Sequence, residues 1–143
     1  MIGIVIVTHA SLGQALREAV EFIAGKQEQV EVVGQGVSDP PQVSSEQLKA
    51  AIKKVDAGEG VLILTDMFGG TPSNVSLAFL EPERVEVLSG VNLPMLLKMV
   101  TSRQNRLGVV ELAHELKAAG RQNISLASEI MAPGKKTEKS QVG

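Results

Sequence analysis

Residues 2–11 read IGIVIVTHAS, an apolar run that stops at a histidine. Ile4-Val5-Ile6-Val7 is nearly continuous in its hydrophobicity, the pattern of a strand buried within a parallel sheet. Thr8 and His9 follow, then Ser11 with Gln14 three residues on. That Ser-x-x-Gln spacing predicts a capping box, in which the two side chains satisfy orphan amides of a helix's first turn. His9 is therefore expected at the seam between a strand's carboxyl end and a helix's amino end. Open α/β sheets bind their ligands at such seams.

The pattern repeats outward along the chain. Leu12, Leu16, Ala19, Val20 and Ile23 fall on one helical stripe, Arg17, Glu18 and Glu21 face away, and Gly25 ends the helix. Val30 to Val33 predicts a second strand, and the turn-rich GQGVSDPPQVSSEQ (34–47) carries Pro40-Pro41 in extended backbone. Ser44 or Ser45 caps a helix with Leu48, Ile52 and Val55 inward. Gly58 and Gly60 bracket the turn into VLILTD (61–66), a third buried strand ending at Thr65-Asp66. MFGG (67–70) is a glycine-bearing loop, and TPSNVSLAFL (71–80) a helix with Thr71 as cap and Pro72 in its first position. RVEVLSG (84–90) is a fourth strand, and VNLPMLLKMV (91–100) opens another capped helix. Val109, Leu112, Ala113 and Leu116 predict a last helix ended by Gly120, and NISLAS (123–128) a final strand. One domain is expected over residues 1–131, with a polar, disordered tail over 132–143.

Alternation of strands and helices implies right-handed crossovers and a doubly wound, mainly parallel α/β sheet with helices on both faces. The expected strand order is 2-1-3-4, because such a sheet must reverse direction somewhere. The reversal sets the carboxyl ends of strands 1 and 3 side by side, and those ends carry His9 and Asp66.

Composition narrows the chemistry. At 143 residues and a net charge of −2, with aromatic residues at 2%, the chain lacks the basic patches and stacking platforms of nucleic-acid binders. There is no cysteine, which removes thiolate metal sites and thiol nucleophiles. No apolar stretch approaches the roughly 20 residues of a membrane helix, and the start lacks a basic signal region, so a cytoplasmic protein is expected. Of the two histidines, His114 falls on the polar side of its helix, and no third metal ligand accompanies the pair.

An imidazole beside a carboxylate suits nucleophilic catalysis. Asp66 would take a hydrogen bond from one ring nitrogen of His9 and leave the other's lone pair free. An arriving anion would meet backbone amides near Ser11 and in the Gly69-Gly70-Thr71 turn, where helix amino ends favour negative charge. Nucleophile, orienting group and anion cradle together suggest phosphoryl transfer through a phosphohistidine. Each part also has a plainer use: His9 as a satisfied polar residue, Asp66 as a turn former, the glycines and Thr71-Pro72 as turn and cap. Their convergence at one switch point favours the chemistry.

IGIVIVTHASLGQAL, GVLILTDMFGGTPSNVSL and VLSGVNLPMLLKMV together resemble the enzyme IIA component of the mannose/fructose/sorbose class of the bacterial phosphotransferase system, in ordered blocks across residues 1 to 130. The resemblance implies that His9 receives a phosphoryl group from the phosphocarrier HPr and passes it to a IIB component, here a separate chain. It implies that Asp66 orients the ring, that Thr8, Ser11, Phe68, Gly69, Gly70 and Thr71 form the phosphate and partner loops, and that Asn92 edges the site. Some members carry Trp and Ser where Phe68 and Thr71 stand. The resemblance further implies no metal or cofactor, a homodimer that exchanges its carboxyl-terminal strand, and at most peripheral membrane association through a permease. Two related roles are compatible with it: a phosphohistidine regulatory module of a system without a permease, and a dihydroxyacetone-kinase phosphotransfer subunit.

Overall fold

The computed structural model describes residues 1–35 and 45–132. The expected Pro40-Pro41 turn, the Ser44 cap and the polar tail from residue 133 lie outside them. The elements are β1 (Gly3–His9), α1 (Leu12–Ala24), β2 (Val30–Gln35), α2 (Ser45–Val55), β3 (Val61–Thr65), α3 (Thr71–Leu77), β4 (Val85–Ser89), α4 (Leu93–Ser102), α5 (Val109–Gln122) and α6 (Ala127–Met131). The sheet is four-stranded, parallel throughout, in the order β2-β1-β3-β4. This is the expected doubly wound α/β arrangement.

Strand parity divides the core. Ile4, Ile6, Leu62 and Leu64 point to the face covered by α1, α4 and α5, where Val20, Leu96, Met99, Leu112 and Leu116 meet them. Val5, Val7, Val61 and Ile63 point to the other, under Leu48 and Val55 of α2 and Val75 of α3. The central strands are wholly buried, so alternation is invisible in their sequence and both sets read as one apolar run. Each such Leu or Ile removed from water stabilises the fold by roughly 1.5–3 kcal/mol. At the amino end of the sheet, the buried Arg103 donates to the carbonyls of Ile2 and Gln29, tying the end of α4 to β1 and to the entry of β2.

Five local expectations need correction. Ser11 begins α1 without a side-chain cap, and Gln14 instead donates to Glu18 at 3.2 Å. The amide of Gly13 finds its acceptor in Thr8 Oγ1 at 2.7 Å, a bond from the preceding strand that makes a capping box redundant. Gly70, not Thr71, is the residue before α3, and Pro72 sits in the first turn as expected. The α1 stripe is split: Gly13 and Val20 are buried, whereas Leu12 and Ile23 are 45% and 56% exposed and Phe22 is 92% exposed. Its inward face centres on Gly13, which lets the helix approach Ile6 and Val32 so closely that a methyl there would stand 3.1 Å from each.

Gly120 does not end α5 but lies buried two residues before the last, at its crossing with α4. A methyl on Gly120 would meet Met95 Cε at 3.0 Å and Asn92 Oδ1 at 3.4 Å, so the glycine serves packing. NISLAS forms no strand: Leu126 is extended, and the chain turns into α6 at Ala127. Among the described residues no strand pairs with this segment, and α6 buries none of its residues. Among the described residues no helix is long and apolar enough to cross a membrane.

Candidate functional site

His9 is the last residue of β1, and Asp66 follows the last residue of β3. Because β1 and β3 are paired in register Val7↔Thr65, residues just past their carboxyl ends meet. Asp66 Oδ2 takes two hydrogen bonds from the same residue: the His9 backbone amide at 2.9 Å and ring Nδ1 at 2.8 Å. The other oxygen, Oδ1, accepts from the Met67 amide at 3.0 Å. A carboxylate only accepts, so Nδ1 carries the proton, and in the neutral ring the lone pair stands on Nε2.

Exposure separates the two roles: the Asp66 side chain is 11% exposed and that of His9 42%. Burial by itself pushes the Asp66 carboxyl up. The bonds from the His9 amide and ring, the ring's charge when it is protonated, and the local backbone outweigh it, leaving the group below the usual carboxylate range. The pair is thus an ionised carboxylate holding one edge of an imidazole whose opposite edge is open.

The glycine loop fits against that open edge. A methyl on Gly70 would come within 2.8 Å of His9 Cε1 and 3.3 Å of Nε2, so only a bare α-carbon can pass there. Gly69 adopts φ 95°, which lets the loop turn back toward α3. Met67 and Phe68 stand out of the same loop, 54% and 72% exposed, as an apolar rim beside the histidine.

The remaining expected site residues stand on the elements around this pair. Thr8 is fully buried, its hydroxyl engaged with Gly13, and it props the start of α1 from beneath. Ser11 is exposed where α1 begins, and Thr71 is half-buried as the first residue of α3. Asn92 is committed to structure: Oδ1 caps Met95 at 3.0 Å and Nδ2 donates to the Gly120 carbonyl at 3.1 Å. Sequence reasoning passed over Ala10, which follows His9 at φ 47°, a left-handed backbone that alanine carries no sequence signal for.

Elsewhere among the described residues no second pairing of imidazole and carboxylate occurs. The hollow lined by Met1, Glu59, Arg103 and Leu107 opens at the opposite, amino end of the sheet and contains no imidazole. His114 is exposed on α5. Among the described residues no three histidines or carboxylates cluster so as to hold a metal ion.

Comparison with known proteins adds the following. The family model described as "PTS system fructose IIA component" matches residues 3–117. The fructose-specific EIIA component of the Bacillus subtilis phosphotransferase system is 34% identical over 134 residues, covering 90% of this chain and 88% of that protein. The mannose-specific EIIAB component of Escherichia coli is 32% identical over 124 residues, 86% of this chain but 38% of that longer protein. Among solved structures, an EIIA component from Streptococcus agalactiae superimposes with a TM-score of 0.76 at 32% identity, covering 90% of this chain and 98% of that one.

Proposed function

This chain belongs to the family of phosphotransferase-system IIA components of the mannose and fructose type, and on that premise we propose that it is a phosphoryl carrier whose acceptor atom is His9 Nε2. The observation that carries the proposal is the double bond of Asp66 Oδ2 to His9, through the amide at 2.9 Å and Nδ1 at 2.8 Å. It commits Nδ1 to the carboxylate and points the remaining lone pair outward.

In the proposed reaction Nε2 attacks the phosphorus of phospho-HPr in line. The new N–P bond forms as the bond to the donor breaks, and the donor leaves with its electron pair. His9 becomes a phosphoimidazolium, still protonated at Nδ1, whose charge the Asp66 carboxylate stabilises. The amides of the Gly69-Gly70-Thr71 turn and the start of α1 face the phosphoryl oxygens. A IIB component then takes the group by a second in-line displacement, its nucleophile bonding to phosphorus as the N–P bond to His9 breaks. The open setting of His9, flanked by exposed Met67 and Phe68, supports exchange with protein partners that dock briefly rather than turnover of an enclosed small molecule.

A cytoplasmic setting follows from these partners, and residues 1–131 form the functional domain. The homodimer belongs to the same proposal. Ile124, Leu126, Ile130 and Met131 are 78%, 60%, 57% and 77% exposed in the protomer, and among the described residues no strand pairs with the outer edge of β4. Residues 123–128 of one protomer extending that edge in its partner would cover both.

The test is incubation with phosphoenolpyruvate, enzyme I and HPr. Acid-labile, alkali-stable label is expected on the wild type and not on His9→Ala. Label that survives this substitution ends the assignment.

A further inference from the structure

Immediately after His9 the backbone of Ala10 enters the left-handed region at φ 47°, disfavoured for any residue with a Cβ. The other described non-glycine residues with positive φ, Gln29 and Glu83, precede strands at the opposite end of the sheet. Ala10 is exposed, so side-chain packing does not hold it there.

What opposes it stands on the neighbouring strand. Gly34 pairs with Thr8 in the β1–β2 ladder. A methyl built on Gly34 would lie 2.7 Å from the carbonyl oxygen of Ala10, far inside contact distance, and the obstacle is backbone that cannot rotate aside. The Ala10 carbonyl thus rests across a bare α-carbon. From that seat the chain runs back over β1, and the Gly13 amide reaches Thr8 Oγ1 at 2.7 Å. On the far side of the histidine, Gly70 leaves no more room, since a Cβ there would be 2.8 Å from His9 Cε1. Two glycines distant in sequence thus bracket the histidine's surroundings, Gly34 against the Ala10 carbonyl that follows it and Gly70 against the ring itself.

We infer that Gly34 is a positioning residue for His9: its missing Cβ seats the Ala10 carbonyl against β2 and so sets the direction in which His9 leaves β1 toward Asp66. The inference rests on His9 being the phosphoryl acceptor. A methyl at residue 34 would push the Ala10 peptide away and carry the adjoining His9 with it. The glycine lies outside every segment that marks the site in the sequence.

The experiment pairs two readouts on the full chain, the rate of phosphoryl acceptance from phospho-HPr and the ¹⁵N resonances of the unphosphorylated His9 ring. Gly34→Ala is expected to fold with a cooperative unfolding transition, to accept phosphate about 10- to 100-fold more slowly, and to lose the protected Nδ1–H signal of the Asp66-bound tautomer. Adding Ala10→Gly should restore most of the loss, because glycine lets the carbonyl swing off the new methyl without moving His9. A wild-type rate and ring spectrum in Gly34→Ala overturn the inference, as does a double variant no faster than the single one. If Gly34→Ala does not fold, Ala10→Val and Ala10→Asn ask the same question, since a β-branched residue resists the left-handed backbone that asparagine tolerates. Valine is expected to be about fivefold slower than asparagine or worse, and equal rates overturn the inference. Failure of the wild type to be labelled at all would instead remove the acceptor role, while the ring spectrum of Gly34→Ala would still decide the positioning.

Discussion

At the scale of the residue, the site turns on one carboxylate oxygen with two donors. Asp66 Oδ2 fixes both the main chain and the ring of His9, so its loss frees two torsions at once. Asp66→Asn keeps the shape but offers an amide nitrogen where an acceptor is needed. It is expected to slow phosphoryl acceptance on the order of 10²- to 10⁴-fold, as measured with phospho-HPr under single-turnover conditions. The same contacts couple to pH. The folded carboxyl titrates below its ordinary value of 3.8. The unfolded chain therefore binds the proton first, and the carboxylate's contribution is complete above the unfolded value and lost as pH falls through the folded one. Urea midpoints of wild type and Asp66→Asn should accordingly differ most near neutrality and converge as the pH falls below the ordinary carboxyl value. A gap that widens in acid would contradict the assignment.

At the scale of the element, the starts of α1, α3 and α4 are stabilised in three different ways. α1 borrows Thr8 from the strand before it, α3 uses a proline in its first turn, and α4 uses the side chain of Asn92. The third joins two elements, because Asn92 also donates to the Gly120 carbonyl of α5. Asn92→Ala is expected to lower stability by about 1–2 kcal/mol, the loss of a cap plus one buried contact, read as a shift in the urea midpoint at unchanged slope. The α1 cap was misread because Ser-x-x-Gln is a local signal, whereas the bond to Thr8 reaches back across the strand-to-helix turn. α5 was cut short at Gly120 for a similar reason: glycine is common where helices stop and also where two helices cross closely, and only the neighbour, Met95, tells which.

At the scale of the whole molecule, the protomer leaves a set of apolar groups uncovered. Phe22 and Ile23 on α1, and Ile124, Leu126, Ile130 and Met131 near the carboxyl end, remain exposed, and among the described residues no strand pairs with the outer edge of β4. If these meet in a homodimer, Leu126→Asp should sediment as a monomer with the far-ultraviolet spectrum of a folded protomer, while the wild type sediments as a dimer. The reason is asymmetric cost: a charge at a 60% exposed position leaves the protomer's core intact, but the same charge inside an interface is buried without a partner. A monomeric wild type would remove the exchange proposal.

The chain's pattern alone determined the layered α/β class, the strand order, and the convergence of His9 and Asp66. Buried parallel strands are continuous apolar runs, their connections have one hand, and a reversal of order brings two particular strand ends together. Tertiary structure alone decided which nitrogen of His9 is held, that Gly34, Gly13 and Gly70 admit backbone, side chain or ring where a methyl would collide, that Asn92 faces α5, and that residues 123–128 find no strand to pair with among the described residues. These are matters of distances between segments far apart in sequence. A glycine reads alike whether it turns the chain, ends a helix or makes room for a neighbour, and an apolar segment reads alike whether its partner is its own sheet or another molecule's.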